Sequence, residues 1–171
     1  MAAQTTLILG GARSGKSRFA QQLAESARLR KRIIVTATAG DAEMTARIAH
    51  HRAERGADWT TIEAPLALPE AIAAAAADDV TVVVDCLTLW LANVMLAGQD
   101  VTAQSQALTE AVAACPHPLI LVSNEVGFGI VPENALGRAF RDAQGRLNQA
   151  VAATAVKVVL VAAGLPLWIK G

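Results

Sequence analysis

The sequence predicts an α/β protein with a mostly parallel sheet that carries helices on both faces. Five short runs are rich in Val, Ile and Leu and too short for independent helices, which is typical of buried parallel strands. Longer segments lie between them, and in Lys16–Arg28 apolar residues recur at every fourth position, as an amphipathic helix requires. Such alternation of strand and helix indicates an α/β sheet. The five runs are Thr5–Leu9, Ile33–Ala37, Thr81–Asp85, Leu119–Ser123 and Lys157–Ala162.

A further apolar run, Leu165–Ile169, follows Gly164 and predicts an additional strand at the edge of the sheet. Ala64–Asp79 and Leu96–Pro116 are expected to contain helices that cover the sheet. The chain has 171 residues and shows neither a repeat nor a linker, so residues 1–171 are expected to form a single domain.

The composition argues against several classes of partner. Fifteen Lys and Arg residues balance fifteen Asp and Glu residues, so no net charge attracts nucleic acid or an anionic membrane. Charged residues interrupt every apolar stretch before it reaches the roughly 20 residues of a membrane span, and the N-terminal segment is unlike a secretory signal. Two cysteines without CxxC spacing indicate neither a disulfide framework nor a zinc site. We therefore expect a soluble cytoplasmic protein whose partners are small molecules or other copies of itself.

The strongest motif is a glycine-rich segment, Gly10–Ser17, that matches the pattern G-x-x-x-x-G-K-[ST] of a phosphate-binding loop (P-loop). An apolar strand precedes it and an amphipathic helix follows it, which is the context of a genuine P-loop. The glycines let successive N–H groups turn inward, so the main chain holds the phosphates of a nucleoside triphosphate. Lys16 is expected to bridge the terminal phosphates and Ser17 to ligate Mg²⁺. The loop residues predicted to bind nucleotide are Gly10, Gly11, Ala12, Arg13, Ser14, Gly15, Lys16 and Ser17.

Three further places lie at the ends of apolar runs and should share an edge of the sheet with the P-loop. They are Thr36–Thr38 after the second run, Asp85 at the end of the third, and Asn124 and Glu125 after the fourth. Asp85 ends the third run, where P-loop proteins place an acidic residue on the Mg²⁺ side. The alternative role, capping the next helix through backbone amides, stays open, but the presence of a P-loop favours the magnesium role. Asn124–Gly129 follows the fourth run, and its glycines permit close approach of backbone. A role in substrate binding and a role in capping a local turn both remain open for this segment.

A charged helix with two adjacent histidines is predicted between Asp41, a suitable N-cap, and Gly56. At about 100° per residue, His51 projects about 60° from the apolar Ile48, whereas His50 projects about 160° from it. His51 therefore lies toward the core side and His50 on the solvent face.

A neutral imidazole beside a magnesium-bound triphosphate can attack phosphorus and form a covalent phosphoramidate. On helix geometry alone, however, His50 is also compatible with an ordinary solvated side chain. The same two interpretations apply to Arg47, Arg52 and Arg55, which either stabilise phosphoryl charge or form a solvated basic face.

The assembled motifs resemble the bifunctional adenosylcobinamide kinase / adenosylcobinamide-phosphate guanylyltransferase family of cobalamin biosynthesis. The resemblance covers almost the full length of the chain. Its segments are GGARSGKS at Gly10–Ser17, TAT at Thr36–Thr38, EMTARIAHHRAER at Glu43–Arg55, W-x-T-x-E at Trp59–Glu63, VVDCLTLWLAN at Val83–Asn93, SNEVGFGIVPEN at Ser123–Asn134 and FRDAQGRLNQ at Phe140–Gln149.

The resemblance implies a RecA-like P-loop NTPase fold and two reactions at one site. The family phosphorylates the aminopropanol hydroxyl of adenosylcobinamide with ATP or GTP. It then transfers GMP from GTP to that phosphate through a guanylylated histidine, giving adenosylcobinamide-GDP. The first histidine of the family's His-His pair matches His50, which is the solvent-side member in the projection above.

The resemblance also implies further nucleotide contacts and an assembly. A homo-oligomer, commonly a trimer, is expected. Besides the P-loop, the family's guanine-nucleotide contacts match Thr36, Ala37, Thr38, His51, Arg52, Ala53, Glu54, Glu63 and Asp85.

Two other functions share the P-loop. One is a small-molecule kinase of different specificity without a covalent intermediate, in which His50 is a surface residue. The other is a regulatory GTP-binding module, which would need a guanine-reading N-K-x-D-like segment, and Ser123–Val126 does not supply one. The histidine helix therefore favours the bifunctional enzyme over both.

Overall fold

The computed structural model describes residues 4–27, 29–37 and 58–171. Within these ranges seven strands form one sheet in the order β3-β2-β4-β5-β1-β6-β7. In chain order the elements are β1 (Thr5–Gly10), α1 (Lys16–Ser26), β2 (Arg30–Val35), β3 (Trp59–Glu63), α2 (Leu68–Ala75), β4 (Val80–Asp85), α3 (Leu87–Leu96), α4 (Val101–Ala114), β5 (Leu119–Asn124), α5 (Ala135–Thr154), β6 (Lys157–Ala162) and β7 (Leu165–Lys170).

Six of these strands run parallel, and β7 pairs antiparallel with β6 at one edge. The register aligns Gly10 with Asn124 across the β1–β5 pair and Val35 with Asp85 across the β2–β4 pair. The carboxyl ends of β1 to β5 therefore lie along one edge of the sheet, which we call the carboxyl edge. The opposite edge, where the parallel strands begin, is the amino edge.

The sheet is buried on both faces because alternate strand residues point to opposite sides. On one face Ile8, Val83 and Val122 pack with α1. On the other face Leu7 and Val84 join the core formed with α2, α3, α4 and α5. Trp90 of α3 is the largest fully buried side chain, and its indole Nε1 donates to the carbonyl of Leu66 at 2.9 Å. The predicted α/β fold with helices on both faces is confirmed, and so are the covering helices within 64–79 and 96–116, which are α2 and α4.

The structure corrects the sequence prediction at two neighbouring strands. β3 was not predicted as a strand because its Trp-Thr-Thr-Ile-Glu sequence is mostly polar, which suits a half-buried strand at the edge of the sheet. β2 spans Arg30–Val35 rather than Ile33–Ala37. Its first three residues are charged, and each donates a hydrogen bond: Arg30 to Asp79, Lys31 to Asp58 and Arg32 to the carbonyl of Ala75. These bonds let charged side chains occupy the start of the strand.

The first helix ends at Ser26, two residues before the predicted Arg28. The predicted histidine helix between Asp41 and Gly56 lies outside the described residues. Within the part of the chain that the structure describes, no helix combines the length and apolar character needed to cross a membrane.

Candidate nucleotide site at the carboxyl edge

The P-loop joins β1 to α1 through backbone conformations that few side chains tolerate. Gly15, the N-cap of α1, has φ of 96°, a left-handed value that favours glycine. Arg13 has φ of 56°, also in the left-handed region. The N–H of Ser14 donates to the carbonyl of Gly11 at 3.3 Å, which closes the turn. The N-terminal N–H groups of α1 therefore open at the carboxyl edge, in the arrangement that binds phosphate.

Two glycines of the loop are required by neighbouring atoms. A Cβ on Gly10 would lie 2.5 Å from Ser14 Oγ and 2.6 Å from the carbonyl oxygen of Val161. A Cβ on Gly15 would lie 3.2 Å from the Cα of Gly164, whose N–H donates to the Ser14 carbonyl at 2.8 Å. The β6–β7 turn thus packs directly against the loop and holds its shape.

Lys16 lies at the start of α1 and is 9% exposed. Its Nζ donates to the carbonyl oxygen of Gly11 at 2.9 Å, so the ammonium is folded back over the loop. The hydroxyl of Ser14 is buried and has no hydrogen-bond partner among the described residues. A buried unsatisfied hydroxyl is uncommon in proteins, and here it lies inside a loop shaped for phosphate oxygens.

Asp85 ends β4 and is half-buried at the same edge. The capping position of the next helix, α3, is occupied by Cys86, so Asp85 does not hold the capping position that the sequence left open. The N–H of Thr36 donates to the carbonyl of Asp85 at 3.3 Å. The Thr36 hydroxyl donates to the Cys86 carbonyl at 2.7 Å and accepts from the Cys86 N–H at 3.0 Å. Thr36 therefore fastens the end of β2 to the end of β4.

Cys86 follows Asp85 directly. Burial, with a smaller contribution from the neighbouring Asp85 charge, raises the pKa of the Cys86 thiol to about 11. The thiol is therefore protonated near neutral pH, which is unfavourable for a nucleophile or a metal ligand.

The remaining residues predicted to contact the nucleotide divide into those that the structure describes and those outside the described residues. Glu63 ends β3 and aligns with Val35, so the sheet brings it to the carboxyl edge together with Ala37, which follows β2. The other predicted residues lie outside the described residues; they are Thr38, His50, His51, Arg52, Ala53 and Glu54.

Sequence reasoning missed the side chains that hold this edge together. On α3, Asn93 Nδ2 donates to the carbonyls of Thr36 at 2.8 Å and Pro65 at 3.0 Å, joining the ends of β2 and β3. Thr88, also on α3, accepts from the N–H of Asn124 at 2.8 Å. Both residues lie within the motif segment Val83–Asn93, but their roles depend on contacts between distant parts of the chain.

A second missed group connects α5 to the end of β5. Ser123, Gln144 and Asn148 are buried polar side chains in mutual hydrogen-bond contact. Polar residues at Gln144 and Asn148, one helical turn apart beside the apolar positions Leu147 and Val151, were the available signal.

The fold and the loop define a class of protein. The chain resembles the solved P4 protein from bacteriophage phi6 in complex with ADP, with a TM-score of 0.51 and 20% identity, covering 96% of this chain and 54% of that one. At this identity the likeness shows the fold alone. A largely parallel sheet with a P-loop after its first strand is a P-loop NTPase fold of the RecA-like type, as expected.

Sequence comparisons identify the family of this chain within the P-loop NTPase class. Residues 6–169 match the model of the family described as "Cobinamide kinase / cobinamide phosphate guanyltransferase", and the chain belongs to this family. It is 48% identical over 167 residues to the bifunctional adenosylcobalamin biosynthesis protein CobP of Pseudomonas aeruginosa, covering 96% of each chain. It is 41% identical over 181 residues to the bifunctional adenosylcobalamin biosynthesis protein CobU of Salmonella typhimurium, covering 96% of this chain and 98% of that protein.

Proposed function

We propose that this protein phosphorylates the aminopropanol hydroxyl of adenosylcobinamide with ATP or GTP and then transfers GMP from GTP to the new phosphate. The product is adenosylcobinamide-GDP, and pyrophosphate is released. Membership of the cobinamide kinase / cobinamide phosphate guanyltransferase family supports both reactions. The observation that carries the proposal is the P-loop at Gly10–Ser17, which the β6–β7 turn holds in a phosphate-binding conformation.

The site fits a triphosphate with its metal ion. Ser14 Oγ at the loop and Asn124 Oδ1 at the end of β5 are buried without partners in the described part of the protein, so polar groups remain for a ligand. Ser17 and Asp85 would hold Mg²⁺, which needs only one or two protein oxygens besides phosphate and water. When bound, this ion neutralises charge on the phosphate oxygens.

Phosphorylation of the hydroxyl needs positioning and charge stabilisation, which the P-loop amides and Lys16 supply. Transfer of GMP proceeds in our proposal through His50. The imidazole attacks the α-phosphorus of GTP, pyrophosphate leaves, and the substrate phosphate then displaces the histidine from the GMP phosphorus.

Product analysis tests the two activities. Purified protein is incubated with adenosylcobinamide and either ATP or GTP, and the corrinoid products are separated by chromatography. We expect adenosylcobinamide phosphate first and adenosylcobinamide-GDP only with GTP. A phosphorylated product that is never guanylylated would favour a plain kinase, and nucleotide binding without transfer would favour a regulatory module.

The histidine assignment predicts that His50→Ala separates the activities. Guanylyl transfer should be lost while phosphorylation survives, because only the GMP relay needs the nucleophile. With GTP labelled at the α-phosphate, wild-type protein should retain acid-labile, alkali-stable label and His50→Ala should not.

His51→Ala is the matched control and should still become labelled. Normal labelling of His50→Ala with loss in His51→Ala would place the nucleophile at the other histidine. Normal labelling of both variants would contradict a covalent intermediate on this segment.

We further propose that the protein forms a homo-oligomer, with a trimer as the expected state, and acts in the cytoplasm. The homo-oligomer follows from the family resemblance, and the cytoplasmic location follows from the composition. Light scattering of the purified protein measures the assembly, and a monomeric mass would contradict it.

A further inference from the structure

A buried cluster of hydrogen-bonding side chains lies where α5 crosses the end of β5. Ser123 and Gln144 are fully buried, and Asn148 is 4% exposed. Asn148 Oδ1 accepts from Ser123 Oγ at 2.7 Å and from Gln144 Nε2 at 2.9 Å. The reactions proposed above assign no role to this cluster. Because burying three polar side chains is costly unless each is paired, the arrangement calls for a reason beyond packing.

The cluster ends on a carboxylate. Asn148 Nδ2 donates to the carbonyl of Asn124 and to Oε1 of Glu125, both at 3.0 Å. The orientation of this amide is set by its partners, because a carbonyl and a carboxylate oxygen can only accept. Turning the amide over would place its oxygen against both acceptors. Ser123 and Gln144 both donate to the oxygen of this amide. Its nitrogen is therefore held toward the carboxylate of Glu125.

Glu125 lies beside the P-loop. Its N–H donates to the carbonyl oxygen of Gly10 at 3.1 Å, and its side chain is half-buried. The preceding strand, β5, lies between β1 and β4. With ~4.8 Å between strands, the strand of Glu125 is ~5 Å from β1, that of Asp85 ~10 Å and that of Glu63 ~19 Å. Among the described carboxylates that end these strands, Glu125 is on the strand next to the P-loop.

Phosphorylation of a hydroxyl needs a proton acceptor, whereas transfer of GMP to a phosphate does not. In the first reaction the attacking oxygen carries a proton that must leave as the bond to phosphorus forms. In the second the attacking group is an anionic phosphate oxygen. Removing a base that serves only the kinase reaction should therefore lower phosphorylation and leave GMP transfer unchanged.

We propose that Glu125 accepts the proton of the substrate hydroxyl during phosphorylation and that Asn148 is the residue that positions it. The hydroxyl oxygen forms a bond to the γ-phosphorus, and its proton passes to the Glu125 carboxylate. The bond from that phosphorus to the bridging oxygen breaks, and the nucleoside diphosphate leaves with the electron pair. This inference rests on the proposed kinase activity.

The test compares Glu125→Gln with wild type in two separate assays. One follows phosphorylation of adenosylcobinamide, and the other follows GMP transfer from GTP to adenosylcobinamide phosphate supplied ready-made. We expect kcat for phosphorylation to fall about 10²- to 10⁴-fold, the usual contribution of a general base. GMP transfer and KM for the nucleotide should change less than about threefold. Glu110→Gln, the same change at an exposed carboxylate on α4, is the matched control and should keep both activities.

Asn148→Ala tests the positioning role. It should lower kcat for phosphorylation less than Glu125→Gln does, with GMP transfer retained and KM for the nucleotide unchanged. Glu125→Ala adds a measurement independent of the amide substitution, since added formate should restore part of its kinase activity by supplying a carboxylate.

The outcomes separate this inference from the proposed function. If wild type phosphorylates adenosylcobinamide and Glu125→Gln does so equally well, the proton-acceptor role is wrong and the proposed function stands. If Glu125→Gln reduces both activities alike, the carboxylate serves nucleotide or metal binding and the inference is likewise overturned. Wild-type protein without kinase activity would overturn the proposed function and this inference with it.

Discussion

The two edges of the sheet use charge differently. At the amino edge, Arg30 pairs with Asp79 at 2.7 Å, and both side chains are more than 60% exposed. These two charged groups join the starts of β2 and β4 and lie in water. At the carboxyl edge, Lys16 is 9% exposed and Asp85 and Glu125 are half-buried. There the carbonyl of Gly11 accepts from Lys16, and the buried amide of Asn148 donates to Glu125.

The difference indicates which charges affect function. Exposed ion pairs contribute little, because water and salt screen them and two mobile side chains must be ordered. A charge withdrawn from water interacts more strongly with whatever enters the site. Substitutions at the carboxyl edge should therefore change catalysis, and those at the amino edge should change stability slightly and activity not at all.

Among the variants that compare the two edges, Lys16→Ala should have the largest effect. Both proposed reactions use the one P-loop identified in the chain, so the loss of its ammonium should lower kcat/KM about 10³-fold in each. Measuring phosphorylation and GMP transfer on the same preparation checks this. Retention of either activity would mean that a second nucleotide site exists.

The P-loop could be predicted from the sequence because its parts are contiguous. Gly10, Gly15 and Lys16 are close along the chain, and the apolar runs on both sides define their context. The buried cluster around Asn148 could not be predicted in the same way, since Asn148 is 25 residues from Ser123 and 23 from Glu125. Only the fold brings these residues together. β3 also escaped prediction, because a half-buried edge strand shows no continuous apolar run.

Asp85→Asn should have the next largest effect. An amide keeps the shape of the side chain but loses the anionic oxygen, so the Mg²⁺ concentration for half-maximal activity should rise about 10- to 100-fold. Titrating Mg²⁺ in both assays measures the change. An unaltered Mg²⁺ requirement would remove Asp85 from the metal site and leave it a structural residue. Circular dichroism should show an intact fold.

Gly10→Ala should destabilise the protein by about 1–3 kcal/mol, the usual cost of overpacking. The new Cβ would lie 2.5 Å from Ser14 Oγ and 2.6 Å from the Val161 carbonyl oxygen, and the backbone carbonyl cannot yield easily. Urea unfolding measures the free energy. Gly11→Ala is the matched comparison for stability, because a Cβ there meets nothing within 4 Å. Equal losses in the two variants would mean that the contact at Gly10 is not the cause.

The smallest effect is expected at the amino edge, for Asp79→Asn. The Arg30 guanidinium donates through Nε at 2.8 Å and Nη2 at 2.7 Å to the two oxygens of this carboxylate. These hydrogen bonds lower the pKa of Asp79 below its ordinary value. Since the folded-state pKa is depressed, the stabilisation is complete above the unfolded-state pKa of about 3.9 and is lost as the pH falls through the folded-state pKa. The variant should therefore melt slightly below wild type at pH 7, and the difference should shrink as the pH falls below about 3.9. The difference at pH 7 should also shrink in 1 M salt, where the screening length is only about 3 Å.

Both catalytic activities of Asp79→Asn should be unchanged. A melting difference that does not shrink as the pH falls would show that charge is not its cause, and a loss of activity would show that the two edges of the sheet are coupled.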